Sequence, residues 1–153
     1  MSAPTTSRFE TMRSDIVSAL EGIVPPNYRS TVHEVSTVWK DVKSVSAWPT
    51  IIVLFPTETM KALDDMRTVF NSTCSVVILA YVRREQIDAM EHDLKRVVLG
   101  LATTHAVDSS GWILDVGANG GQFDVARVDL PENNMTILGI KFVSYIQFQV
   151  DTF

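Results

Sequence analysis

The sequence predicts an α+β fold: a mixed, mostly antiparallel β-sheet with two main α-helices packed against it. Three observations predict it. Two apolar stripes at helical spacing stand far apart, around residues 7–23 and 85–101. Short Val- and Ile-rich runs of strand length lie between and after them. The resulting order is α, three strands, α and a closing β meander, which places both helices on one face of the sheet.

The whole chain sets bounds on this reading. At 153 residues it is long enough for one domain with a real core. Hydrophobic residues make up 46% and charged residues 20%, the composition of a folded globular chain. A net charge of -5 argues against a general nucleic-acid binder, because Lys and Arg are not in excess. The single cysteine, Cys74, excludes an internal disulfide framework and a cysteine-based zinc site, and fits a reducing compartment. MSAPTTSRFETM lacks the apolar centre of a signal peptide and no run reaches membrane-spanning length, so a soluble protein without a membrane role is expected.

Taken in order, residues 1–6 are small and polar and read as a flexible arm, with a single domain over 7–153. Ser7 opens the first helix, with Glu10 placed for a capping box. Phe9, Met12, Ile16, Val17, Leu20 and Ile23 form its apolar stripe, and Pro25 and Pro26 close it. Thr31 to Trp39 reads as a strand and residues 40–49 as a loop carrying Lys40, Asp41, Lys43 and Trp48. TIIVLF, Thr50 to Phe55, is a strand covered on both faces and closed by Pro56. In 57–72 the spacing of Met60, Leu63, Met66 and Phe70 suggests a short helix. Cys74 to Arg84 is the longest strand signal. The second helix runs from about Glu85 to Leu101, with Ile87, Met90, Leu94, Val97, Val98 and Leu101 inward. Trp112 to Val116, Gln122 to Leu130 and Ile137 to Val150 are the last three β segments, joined by glycine-rich and Pro-Glu-Asn-Asn turns.

WILDVGANGGQFD, Trp112 to Asp124, resembles the first motif of S-adenosylmethionine-dependent methyltransferases, with Asp115, Gly117, Gly121 and Asn119 where a glycine is usual. That chemistry needs a strand, the loop and then a helix whose N-terminus faces the cofactor. Phe123, Val125 and Val128 instead alternate as in a strand, and Pro131 closes the window. No carboxylate stands about 20 positions on, where the ribose hydroxyls would be held, and too few residues remain for further βα units. The preferred reading is a tight turn between two antiparallel strands.

Other polar groups carry little more. Thr103, Thr104, His105, Asp108, Ser109 and Ser110 could supply a Ser/His/Asp set, but no nucleophile-elbow pattern surrounds either serine. His33, His92 and His105 have no metal-ligand spacing, and Asp64 and Asp65 read as a solvated face. Cys74 reads as a small core residue. Trp39, Trp48 and Trp112 are core residues or interface anchors, Trp48 being the better anchor candidate because it lies in a loop before a proline. The sequence therefore carries no catalytic, cofactor-binding or metal-binding residues.

The layout as a whole resembles another family, the tail terminator or tail completion proteins of tailed bacteriophages. SRFETMRSDIVSALEGIV matches their opening amphipathic helix and PPNYRST the tyrosine-containing link. WPTIIVLF matches the proline before a buried strand, and CSVVILAYVRRE and IDAMEHDLKRVVLGL the long strand followed directly by a helix. GIKFVSYIQFQV matches the last strand. The likeness spans about residues 7–150; the Gly117–Gly121 turn and the 57–72 insertion have no counterpart in it.

The resemblance implies assembly rather than catalysis. Such proteins form a homo-hexameric ring that caps the head-proximal end of the tail tube and stops its polymerisation. The ring then offers a joining surface to the neck or connector protein, and to the sheath protein in contractile tails. DNA passes through the lumen without specific binding, and the net acidity suits such a passage. The location implied is the virion tail, assembled in the host cytoplasm. Lys40, Lys43 and Trp48 of the loop, with Asn119 and Gln122 at the glycine-rich turn, are the candidate contacts with neighbouring subunits or tube. The alternatives are another phage neck or head–tail connector protein of α+β type, and a small S-adenosylmethionine-dependent methyltransferase, which ligand binding would single out.

Overall fold

A computed structural model describes residues 6–106, 111–115 and 122–150. Its elements are α1 (Arg8–Glu21), β1 (Glu34–Ser36), β2 (Thr50–Leu54), β3 (Glu58–Ala62), β4 (Val69–Arg83), α2 (Ile87–Thr104), β5 (Ile113–Asp115), β6 (Asp124–Leu130) and β7 (Met135–Gln149). The α+β class is as expected: among the described residues seven strands form one mixed sheet, antiparallel except where β1 pairs with β2.

Two strands of 15 residues, β4 and β7, lie antiparallel along their whole length, from Val69↔Gln149 to Arg83↔Met135. Each is flanked on its outer side by two short strands placed end to end. On β4 these are β2 (Leu54↔Val77) and β3 (Glu58↔Cys74). Phe55, Pro56 and Thr57 thus face only Ser75 and Val76, so one residue is extra, and β2 ends at Leu54, just ahead of Pro56 as expected. On β7 the flanking strands are β5 (Asp115↔Val143) and β6 (Asp124↔Lys141).

This topology corrects three sequence expectations. The 57–72 stretch is not helical; β3 and the start of β4 form a hairpin closed by Asp64. The Asp64 carboxylate accepts from the backbone N–H groups of Thr68 (2.8 Å) and Val69 (3.1 Å) and from the Thr68 hydroxyl, which lowers its pKa. The helix-like spacing of Met60, Leu63 and Met66 spans this exposed hairpin and its turn, where no buried face enforces a period. The chain does not end in a simple meander either. Because β5 and β6 both run antiparallel to β7, they run parallel to each other, so Gly117 to Gly121 do not join two antiparallel strands. Those glycines themselves lie outside the described residues. Finally, the strand expected over Thr31 to Trp39 is only Glu34–Ser36, because it has just β2 to pair with, and Val38 and Trp39 are exposed.

Both helices pack on one face of the sheet. Met12, Ile16 and Leu20 of α1 and Met90, Leu94, Val97, Val98 and Leu101 of α2 meet the even-numbered residues of β4 and β7, among them Val76, Ile78, Leu138, Ile140 and Phe142. Each fully buried aliphatic side chain there stabilises the fold by roughly 1.5–3 kcal/mol. Ser7 caps α1 by accepting from the Glu10 N–H at 3.1 Å. Trp112 Nε1 donates to Asp15 at 2.8 Å and so ties α1 to the strand layer. The Trp112 ring stacks on His105 at 3.8 Å, and the His105 carbonyl accepts from the Leu114 N–H at 3.1 Å.

The link between α1 and β1 is fixed by a residue that no sequence pattern singles out. Asp93 is fully buried on α2, and its carboxylate accepts from the backbone N–H groups of Arg29 and Ser30, the shortest bond being 2.7 Å. Arg96, one turn on, stacks over Tyr28 at 4.9 Å and donates to the Asn27 carbonyl. These bonds hold the tyrosine-containing link against α2.

Two stability predictions follow from this packing. Asp93→Ala leaves the buried Ser30 N–H and the partly buried Arg29 N–H without their acceptor and should cost about 3 kcal/mol in denaturant unfolding, with Asp93→Asn losing about half as much. His105 has its pKa lowered from 6.5, chiefly by burial and against an opposing pull from Asp15. Its folded form therefore takes up a proton less readily than its unfolded form. The stability it contributes is complete above pH 6.5 and falls as the pH drops through the lowered pKa. A denaturation midpoint followed from pH 7.5 to 5 should fall below pH 6.5, and His105→Phe should remove that part of the slope.

Candidate functional site

The sheet face away from the helices carries the odd-numbered residues of β4 and β7, and it is only half covered. Its covered half is roofed by the loop of residues 40–49. Val42, Val45 and Trp48 pack onto Ile52, Tyr81 and Met135, which are buried. The loop is held by polar bonds at both ends. Tyr81 donates its hydroxyl to the Lys40 carbonyl at 3.1 Å, Gln86 Nε2 donates to the Trp48 carbonyl at 3.3 Å, and the Arg83 guanidinium lies 4.5 Å over the Trp48 ring. Burial, with Asp41 nearby, raises the Tyr81 pKa, so the phenol stays a donor.

Beyond the roof the face is open. Val77, Leu79, Ala126, Val128, Ile137 and Gly139 line a hollow of about 240 Å³, with Asp124 and Lys141 at its rim. Gly139 has no side chain to fill the space between Leu79 and Ala126, its neighbours across the ladders. Past Lys141 the surface continues into a depression of about 450 Å³ bounded by Pro56, Thr57, Ser75, Gln122 and Val143. That depression lies where both flanks of the sheet are interrupted.

The flanks are the second feature. Among the described residues β3 pairs only with β4 and β6 only with β7, so each leaves one edge open. Both strands are exposed nearly throughout. Met60, Leu63 and Met66 on the β3–β4 hairpin are 51%, 51% and 83% exposed, an apolar tip rather than isolated side chains. Charged residues Glu58, Lys61, Asp124, Arg127 and Asp129 interleave along the two edges, the usual guard against indiscriminate strand pairing.

The residues singled out by sequence fall around this face. Lys40 is half-exposed and pairs with Glu34 at 2.6 Å. Lys43 is exposed on the short 3-10 turn Val42–Ser44. Trp48 is half-buried in the roof, whereas Trp39 is 59% exposed and Trp112 lies in the core. Gln122 is exposed beside Asp124; Asn119 lies outside the described residues. What the sequence did not point to is the open apolar half of the face. Its signal was the alternation of Val77, Leu79, Ile137 and Gly139 along the same strands that supply the core.

The groups considered for chemistry are placed in structural roles. Asp115 is buried, and burial first, then the charge of Asp115 and its hydrogen bond from the Tyr145 hydroxyl, raise the Tyr145 pKa. The segment after Gly121 is the strand β6, so no helix N-terminus follows the glycines. His105 stacks on Trp112 at the end of α2; Asp108, Ser109 and Ser110 lie outside the described residues. His92 sits at the solvated edge of α2, 3.3 Å from Asp93, and His33 is on another element. Among the described residues no three His, Cys, Asp or Glu side chains are grouped to hold a metal ion. No described helix is long and apolar enough to cross a membrane.

No protein-family model matches the chain and no curated protein matches it. Among solved structures it is similar to a chain described as "Virion of native gene transfer agent (GTA) particle", at 14% identity and a TM-score of 0.48, covering 93% of this chain and 92% of that one.

Proposed function

We propose that this chain is a structural virion protein of the tail-terminator type. Six copies form a ring on the head-proximal end of a phage tail tube, stop its growth and present the surface that the neck or connector protein joins. Where the tail is contractile, the same ring meets the last sheath subunits. The observation that carries this reading is the pair of open strand edges on opposite flanks of one sheet, beside an uncovered apolar hollow. Edges on opposite flanks allow head-to-tail contacts, and such contacts close a ring when the rotation per copy permits. An apolar hollow rimmed by single charges suits a protein surface.

The chemistry considered from sequence supports the same reading. Asp64 is engaged with backbone N–H groups and His105 with Trp112, so these groups are occupied in holding the fold. The net charge of -5 suits a lumen that passes DNA without binding it. Within the ring Lys40, Lys43 and Trp48 of the roof loop, with Gln122 beside the depression and Asn119, which lies outside the described residues, contact the neighbouring copy or the tube. Residues 1–5 of the N-terminal arm lie outside the described residues. The protein acts in the virion tail after assembly in the host cytoplasm.

Native mass spectrometry over a concentration series, with and without S-adenosylmethionine, tests this. The expected result is a six-subunit species indifferent to the cofactor; a monomer that takes up one cofactor molecule would restore the enzyme reading. Trp48→Ala, checked for retained fold by circular dichroism, should raise the concentration at which the ring forms by roughly thirty-fold, the effect of losing an anchor of about 2 kcal/mol. An unchanged assembly profile would remove Trp48 from the interface.

A further inference from the structure

The two open edges fit each other. Successive residues of a strand turn their N–H and C=O groups to opposite sides, so the outward-facing residues can be identified. On β3 the Ser75 N–H donates to the Thr57 carbonyl at 2.9 Å and the Leu63 N–H to the Val69 carbonyl at 2.8 Å. Odd-numbered residues there bond to β4, which leaves Glu58, Met60 and Ala62 facing outward. On β5 the Leu114 N–H points away from β7, to the His105 carbonyl, so Ile113 and Asp115 face Tyr145 and Val143. Carrying that alternation along β7 gives Asp124, Ala126 and Val128 the bonds to β7 and leaves Val125, Arg127 and Asp129 facing outward.

Direction agrees as well. β6 is antiparallel to β7, β7 to β4 and β4 to β3. When two copies lie side by side in the same orientation, β6 of one therefore meets β3 of the next antiparallel, as in edge addition of a strand. Only registers that set outward residues opposite outward residues are allowed, and they differ in steps of two.

One of these registers is complementary at every position. Arg127 faces Glu58 and Val125 faces Met60 on the helix side of the joined sheet; Asp124 faces Lys61 and Ala126 faces Thr59 on the other side. The sides follow from the partners within the chain, Leu138 and Cys74 for the first pair and Lys141 and Asn71 for the third. Arg127 already reaches Glu91 of α2 at 3.5 Å and Asp88 at 4.0 Å, so Glu58 of the next copy joins an exposed network. A slip of two in one direction sets Asp129 against Glu58, like charges directly opposed, and leaves Arg127 against Met60. A slip the other way sets Val125 against Glu58 and Gln122 against Lys61. Opposite charges directly across a ladder stabilise it and like charges oppose it.

We propose that β6 of one copy adds to β3 of a second copy of this chain as an antiparallel strand pair, in the register that opposes Arg127 to Glu58 and Asp124 to Lys61. The pairing deepens the ring reading and rests on it for the number of copies joined. It makes the 57–72 hairpin, which has no counterpart in the family layout, the arm that each copy offers to its neighbour. It also extends the sheet across the boundary between copies, so that the apolar hollow beside β6 lies next to the joint.

Cysteine pairing reads this directly. Hydrogen-bonded antiparallel partners hold their Cα atoms about 5.5 Å apart, within disulfide range. Within one chain, positions 60 and 125 are separated by the width of β4 and β7, roughly 14 Å or more, and cannot bridge. Cys74 stays out of the reaction, because it is fully buried and burial pushes its thiol pKa up to about 11.

Chains carrying Met60→Cys are mixed with chains carrying Val125→Cys and oxidised with glutathione disulfide across the concentration series. Covalent dimers are expected, and a ladder of higher multiples from the chain carrying both substitutions. Ala62→Cys with Val125→Cys, the slipped register, should give at least tenfold less. Equal yields from the two pairings would overturn the register. A ring in native mass spectra whose cysteines stay reduced would overturn the strand pairing and leave the ring reading standing. A chain that is neither cross-linked nor assembled at any concentration would overturn both.

Discussion

The unbroken antiparallel pairing of β4 with β7, from Val69↔Gln149 to Arg83↔Met135, is the constraint on which the other elements depend. Because it holds one register over 15 residues, the even-numbered side chains of both strands fall on one face and the odd-numbered on the other. The even set, with Val76, Ile78, Ile140 and Phe142, makes the floor on which α1 and α2 rest. A slip of one residue would turn that set out to water. The shorter strands then have only the two outer edges of the pair to occupy, which is why β2 and β3 share one and β5 and β6 the other.

The functional reading follows from how unequally the two faces are finished. The helix face is sealed, and its polar groups are matched: Asp93 to the Arg29 and Ser30 N–H groups, Asp15 to Trp112, the Ser144 hydroxyl to Met12 sulfur at 2.9 Å. The other face is roofed over Ile52, Tyr81 and Met135 and only partly covered over Val77, Leu79 and Ile137. A buried polar network fixes one conformation of the body, while an uncovered apolar strip and two open strand edges leave surface to be covered by association. Stable body and unfinished rim are what a subunit joined to copies of itself requires.

Much of this was legible in the sequence, and the rest failed for identifiable reasons. Both helices and the two long strands were readable because each has one buried face, and burial imposes the period. Even so, the strand signal begins only at Cys74 rather than Val69, since Asn71, Ser72 and Thr73 are polar and all of Val69 to Thr73 but Ser72 are only half-buried. β3 is exposed on both faces, so no period marks it, and Met60, Leu63 and Met66 imitate a helical stripe by chance. Pairing partners are not written in alternation at all. Nothing in Trp112 to Leu130 says that β5 and β6 lie along the same strand, so the pattern around the intervening glycines imitates a hairpin turn. Asp93 was overlooked because its burial depends on backbone donors more than 60 residues away.

The central claim is that the protein works by capping a tube, and electron microscopy of tube subunits polymerising with and without this chain tests it most directly. The account predicts short tubes of arrested length, each bearing one extra six-fold ring at a single end, with growth resuming when the chain is left out. Tubes that grow to the same lengths in its presence, with bare ends, would contradict it.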